Sequence, residues 1–326
     1  VRGSAAPSGA PHGTVPVAPG GGGPSIGRAS TAPATQVSTP ARGRGSLYGL
    51  GVLTLVAAAV WGATIGMPDG SAHVTFLDVG QGDAILIRSA SGRTIHVDGG
   101  PDPTTLLARL GRALPFWERR IDLVVATHAD GDHLTGLLPV LEHYDVGAAL
   151  ESPAMAPGAL TDEWQRALAA NNVPCTTAWR GARIEVGDGL LVEVLHPPDP
   201  VRLPPNADLN PLSLVLRVTA AGQSVLLTAD VDATTEQVLI TSGLPLAATA
   251  LKAAHHGAAT ATSDAFLEAV RPSVAVISVG AENTYGHPAS ATLERLRGAD
   301  VSVWRTDACG AVDLVLDPDG LRVRTA

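Results

Sequence analysis

The chain has 326 residues, 45% hydrophobic, 16% charged and 3% aromatic, with a formal net charge of −9. That leaves room for one large domain or two small ones with an aliphatic core, and it argues against a broad basic surface that grips nucleic acid. A phosphodiester substrate stays open, because bound divalent metals would reverse the local sign.

Residues 1–46 are rich in Ala, Gly, Pro, Ser and Thr without an apolar period, a composition expected of a disordered segment. Residues 47–67 read LYGLGVLTLVAAAVWGATIGM, with no charge between Arg44 and Asp69. About 20 apolar residues suffice to cross a bilayer, so a transmembrane helix is expected here. Arg28, Arg42 and Arg44 precede it, which puts the N-terminal side in the cytoplasm and residues 72–326 outside.

Residues 72–326 read as short β-rich runs and helices. Strands are predicted over His73–Leu77, Ala84–Arg88, Thr94–Val97 and Leu123–Ala126, with a turn at Ser91-Gly92. Helical spacing covers Thr104–Leu114, with Thr104 or Thr105 as N-cap, and Thr161–Asn171, with Thr161 as N-cap. Further strands are expected at Ser213–Val218, Ser224–Leu227, Val274–Val279 and Val301–Trp304. Helices are expected near Thr234–Ile240, Ser263–Val270 and Ala289–Leu296, and a last hairpin turns at Asp317–Gly320. This interleaving predicts two packed sheets covered by helices. Cys175 and Cys309 have no metal-binding spacing and read as two independent buried thiols.

Thr127-His128-Ala129-Asp130-Gly131-Asp132-His133 comes directly after a predicted buried strand and crowds four potential metal ligands into one loop. Leu226–Asp230 is an apolar run ending in an acid that could bridge two cations. Lys252–Gly257 carries His255 and His256 at a strand end, suiting one ligand and one acid or base facing substrate. Ser278–Pro288 offers His287 in another turn. Lys252 is the only lysine in the chain, and its compact ammonium beside these histidines could point at a phosphate.

In these motifs, in Thr75–Ala84 (TFLDVGQGDA) and in Val97-Asp98-Gly99-Gly100, the sequence resembles the metallo-β-lactamase superfamily. Most closely it resembles the C-terminal domain of the ComEC family of DNA-internalisation competence proteins. The resemblance implies an α+β, metallo-β-lactamase-like αββα sandwich over residues 72–326 and two divalent metal ions. His128 and Asp130 match first-metal ligands, Asp132 and His133 second-metal ligands, and Asp230 the bridging carboxylate. One of His255 and His256 matches a further second-metal ligand and the other faces substrate, while His287 is assigned a phosphate contact. Asp78, Asp83 and Asp98 are expected to hold loops.

Asp130 stands where many superfamily hydrolases carry His, and no histidine clearly fills the third first-metal position, for which Asn210 and His196 are the candidates. Ala229 and Ala258 stand where the family often has glycine and serine. Oxygen-rich ligation favours Mn²⁺ or Mg²⁺ beside Zn²⁺. The resemblance implies DNA as substrate at the bacterial cytoplasmic membrane, with an uptake channel and competence proteins as partners. A small ester or phosphodiester substrate, or a non-catalytic DNA-binding or channel-associated domain, are the alternatives.

Overall fold

The computed structural model describes residues 50–54, 56–57, 68–199 and 208–325. Of the apolar segment, the described residues 50–54 and 56–57 are helical and exposed. No helix among the described residues is long and apolar enough to cross a membrane. The transmembrane expectation for 47–67 therefore falls largely outside the described residues, and the disorder expected of 1–46 wholly outside them.

From Ala72 onward, short strands succeed one another. β1 (Ala72–Phe76), β2 (Ile85–Arg88) and β3 (Thr94–Val97) form an antiparallel meander. The short β4 (Arg120–Ile121), then β5 (Leu123–Ala126), the short β6 (Asp145–Val146), β7 (Ala149–Glu151) and β8 (Cys175–Thr177) come next. The second half supplies β9 (Arg183–Gly187), β10 (Leu190–His196), β11 (Val215–Ala220), β12 (Gln223–Leu227), β13 (Ala250–Lys252), β14 (Val274–Ile277) and β15 (Ser302–Arg305). The chain closes with β16 (Val312–Asp317) and β17 (Gly320–Thr325).

Eight strands make one sheet in the order β17-β16-β1-β2-β3-β5-β7-β8, and seven make the other in the order β15-β14-β13-β12-β11-β10-β9. β4 and β6 pair separately. β3, β5, β7 and β8 run parallel, as do β12, β13, β14 and β15, while the remaining pairings within the two sheets are antiparallel. β3 and β14 are buried along their whole length, as strands covered on both faces must be.

Three apolar layers arise from the alternation of side chains. Val74, Phe76, Ile87, Val194, Leu216 and Leu227 pack between the sheets. Leu86, Leu106, Leu110, Leu137 and Trp164 join the first sheet to its helices, and Leu226, Leu251, Phe266 and Leu296 do so for the second. Helix, sheet, sheet and helix stack as the sequence predicts.

Several boundaries move for local reasons. The first helix spans Pro103–Ala113 and is capped by Asp102, whose carboxylate accepts from the Thr104 and Thr105 amides, not by either threonine. Pro103 at the first helical position sets the cap at Asp102, two residues before Thr104. The next long helix, Ala159–Ala170, begins after Gly158, so Thr161 lies inside its first turn and donates to the Ala156 carbonyl. β11 starts at Val215, because Asn210–Leu212 forms a 3₁₀ turn closed by Ser213. Cys175 and Cys309 are unpaired and half-buried rather than buried.

Candidate metal centre

The parallel strands aim their C-terminal ends at one place. β5 delivers His128, and a close turn then carries Asp130 and the short helix Gly131–Leu134 bearing Asp132 and His133. From the facing sheet, β12 delivers Asp230, and β13 leads to His255 and His256. Both histidines are left-handed, with φ of 49° and 53°, a backbone state that side chains other than glycine seldom take in succession. The turn they make sends His256 inward, where it is buried, and leaves His255 at the cleft wall with a 31% exposed side chain.

The inner atoms converge. Asp230 Oδ2 lies 3.3 Å from His133 Nε2 and 3.1 Å from His256 Nε2, and Asp132 Oδ2 lies 3.3 Å from His256 Nε2. Donor atoms of Asp132, His133, Asp230 and His256 all fall within 4.8 Å of one another. His128 stands beside them, its ring centroid 4.1 Å from that of His133 and its Nε2 3.7 Å from Asp130 Oδ2.

The outer faces of the three inner histidines are fixed. His133 Nδ1 donates to Asp98 Oδ2 at 2.8 Å, and His256 Nδ1 donates to the Ser278 carbonyl at 2.9 Å. His128 Nδ1 pairs with Thr127 Oγ1, which itself donates to Asp98. Anchoring Nδ1 turns Nε2 toward the cluster. The Nε2 atoms of His128, His133 and His256 are buried without a hydrogen-bond partner, and so is Asn210 Oδ1. Buried polar atoms are seldom left unpaired. Three such nitrogens facing a buried carboxylate are a donor set suited to divalent cations.

The electrostatics give ionised carboxylates and a neutral His128, while against burial the Asp230 charge raises His133 and His256, whose protons metal binding would release. Burial opposes the charged form of Asp230, but the His256, His133 and Lys252 charges hold it well below the usual carboxylate range. Burial likewise works against ionised Asp132, and the close approach of His256 with the His133 charge brings it to about 2. Burial and then the His133 charge push His128 down, keeping that imidazole neutral and its lone pair free to ligate. Burial disfavours a His256 cation, yet the Asp230 charge and the close carboxylates of Asp132 and Asp230 raise it to about 9.

A family model of the metallo-β-lactamase superfamily matches residues 77–281. The chain belongs to that superfamily. Its curated relatives are ComEC-family competence proteins. Competence protein ComA of Neisseria gonorrhoeae is 32% identical over 263 residues, covering 79% of this chain and 34% of the relative. ComE operon protein 3 of Bacillus subtilis (strain 168) is 28% identical over 260 residues, covering 74% and 32%. The chain thus spans about a third of the length of the curated relatives it matches. Among solved structures, the metallo-β-lactamase fold protein YhfI from Bacillus subtilis overlaps 72% of this chain and 95% of its own, with 11% identity and a TM-score of 0.48.

Within this metallo-β-lactamase domain, the sequence-predicted residues divide into three groups. Asp132, His133, Asp230 and His256 form the tight cluster. Asp130, Asn210, His255 and His287 line a cleft of about 150 Å³ over it, together with Gln81 and Tyr285. Lys252 does neither: it is fully buried, with Nζ 2.5 Å from Asp83 Oδ2, 2.6 Å from the Ala229 carbonyl and 3.3 Å from Asp230 Oδ1. The phosphate-facing role expected of Lys252 is therefore corrected, because its ammonium is spent beneath the cluster. His196 is also set aside, since it is not among the residues that line this cleft. That leaves Asn210 as the third-ligand candidate on this side of the cleft.

Sequence reasoning assigned no role to Gln81 or Tyr285. Gln81 accepts from the Gly280 amide across the cleft, and the Tyr285 ring stacks on His287 with centroids 5.9 Å apart. The Lys252–Asp83 pair was equally hidden, because it joins positions 169 residues apart. Asp78 and Asp98 do hold loops as expected, Asp78 through Arg109.

Proposed function

We propose that this domain is a two-metal phosphodiesterase that cuts DNA during uptake in natural competence. The observation that carries the metal reading is the set of partnerless Nε2 atoms of His128, His133 and His256 around Asp230. The phosphodiester reading is supported by the oxygen-rich donor set and by the competence proteins among the relatives.

His128, Asp130 and Asn210 would hold one ion, Asp132, His133 and His256 the other, with Asp230 between them. Mn²⁺ or Zn²⁺ would suit this mixture, and Mg²⁺ is accommodated by its oxygens. Ions held there supply the charge that activates water and offsets negative charge developing on a phosphate. The remaining work belongs to the chain. His255, at the cleft wall with Nε2 3.8 Å from Asp230 Oδ2, holds a proton for the leaving oxygen. His287 and Tyr285 flank the entrance and orient substrate. Asp98 keeps His133 in the ligating tautomer. Residues 47–67 would tether the domain to the bacterial cytoplasmic membrane on its outer side, beside an uptake channel and other competence proteins.

The test uses the purified full chain loaded with Mn²⁺ or Zn²⁺ and offered single- and double-stranded DNA beside small phosphodiesters. DNA cleavage lost in His128→Ala and Asp230→Asn is the expected result. Retained cleavage in both variants would remove the assigned site, and hydrolysis of small esters alone would redirect the substrate reading.

A further inference from the structure

The chain has only five Trp, three Tyr and three Phe, yet two of them are spent on the surface side by side. Phe116 is 71% and Trp117 42% exposed, with their rings edge to face at 4.8 Å. The turn that carries them is well tied. The Glu118 amide donates to the Pro115 carbonyl, the Arg120 amide to Glu118 Oε1, and the Asp145 amide to the Arg119 carbonyl. The pair is thus held outward by an ordered turn.

Topology places this turn. β1, β3 and β5 run in the same direction, and the metal cluster lies beyond their C-terminal ends. Phe116 and Trp117 precede β4 and β5, so they sit at the opposite end, where β1 begins. The chain leading into β1 is anchored at that end too. Pro68 lies against Gly92 of the β2–β3 turn, and Ser71 Oγ donates to Asp317 Oδ1 at the β16–β17 turn. Three strand spacings separate β1 from β5, roughly 14 Å. Four residues separate Ala72 from the end of the uncharged segment 47–67, a reach of at most about 17 Å.

Several acids at this end are paired with basic side chains. Asp122 is bound by Arg93 and Arg120, Asp145 by Arg120, Asp69 by His73, and Asp317 by Arg322. Those acids present reduced charge to an anionic surface, while Glu118 beside Trp117 is bound, among the described residues, by the Arg120 amide alone. Trp and other aromatics favour the water–lipid boundary, where one edge is apolar and the other wet.

We propose that the end of the domain bearing Phe116 and Trp117 rests on the lipid headgroups of the bilayer entered by residues 47–67. The metal cleft then opens away from the membrane, about 13 Å further out along β5. The inference rests on the membrane tether proposed above and adds to it a second contact and an orientation.

The experiment reconstitutes the full chain in phosphatidylethanolamine–phosphatidylglycerol vesicles whose lipids carry bromine near the headgroup, and compares it with Trp117→Phe. Of the other four tryptophans, Trp164 is fully buried, Trp179 and Trp304 are half-buried in the domain and Trp61 lies in the tether, and their signals are common to both proteins. Replacing Trp117 is expected to remove roughly half of the bromine-quenched emission, and vesicles are expected to shield Trp117 from aqueous iodide. Vesicle-bound protein whose quenching is unchanged by Trp117→Phe overturns the contact while leaving the tether intact, and would assign the pair to water or a protein partner. Failure of the full chain to associate with vesicles overturns both.

Discussion

A lysine ammonium with no solvent exposure lies under the histidine cluster, held by Asp83, Asp230 and the Ala229 carbonyl. Its charge offsets burial of two carboxylates, so truncating it leaves them uncompensated. Lys252→Met is expected to cost about 3–5 kcal/mol in denaturant unfolding, as breaking a buried ion pair does. His255→Ala, at the half-exposed cleft wall, should cost well under half as much. Equal losses would contradict the supporting role given to Lys252. Asp98 acts on the site through other residues, since it fixes both His133 and Thr127. Asp98→Asn is expected to weaken metal binding about 10- to 100-fold in a chelator competition, the usual effect of losing a carboxylate behind a ligating histidine.

The ligands reach one point because their loops succeed parallel strands, and one loop is clamped by bare backbone. A Cβ on Gly136 would lie 1.9 Å from the Gly99 carbonyl oxygen, and one on Gly99 would lie 2.4 Å from the Leu137 amide. The Gly99 amide also donates to the His133 carbonyl. Gly136→Ala is therefore expected to push the Asp130–Leu134 turn off β3, lowering both melting temperature and metal stoichiometry. Unchanged metal binding in a folded variant would contradict this. Much of this level is legible in the sequence: the buried strand before His128, the acid after β12 and the paired histidines after β13 each lie within one short stretch. What is not legible is pairing across the chain. Nothing local to Asp83 announces Lys252, and nothing in the two histidines says which turns inward, because a pair of left-handed residues decides it. The hairpin of β9 and β10 is missing from the sequence reading although its first strand, RIEVG, alternates, with Ile184 and Val186 half-buried against the inter-sheet core.

Away from the metal cluster, a buried base in β3 ties stability to acidity. His96 in β3 faces the apolar layer beneath the helices, and burial pushes its imidazole from 6.5 down to about 3. The unfolded chain binds this proton more readily than the folded one between those values. The His96 contribution is thus full above pH 6.5 and is lost as pH falls toward 3. Replacing His96 by Leu should flatten that decline in unfolding measured across the same window; an unaltered slope would place the acid sensitivity elsewhere. The two halves of the fold each supply part of the ligand set, so binding of metal reports their correct closure. The most direct measurement is metal content at saturation, by mass spectrometry, for the wild type, His128→Ala and His256→Ala. The account predicts two equivalents in the wild type and one in each variant. No metal in the folded wild type, or the same content in all three, would contradict it.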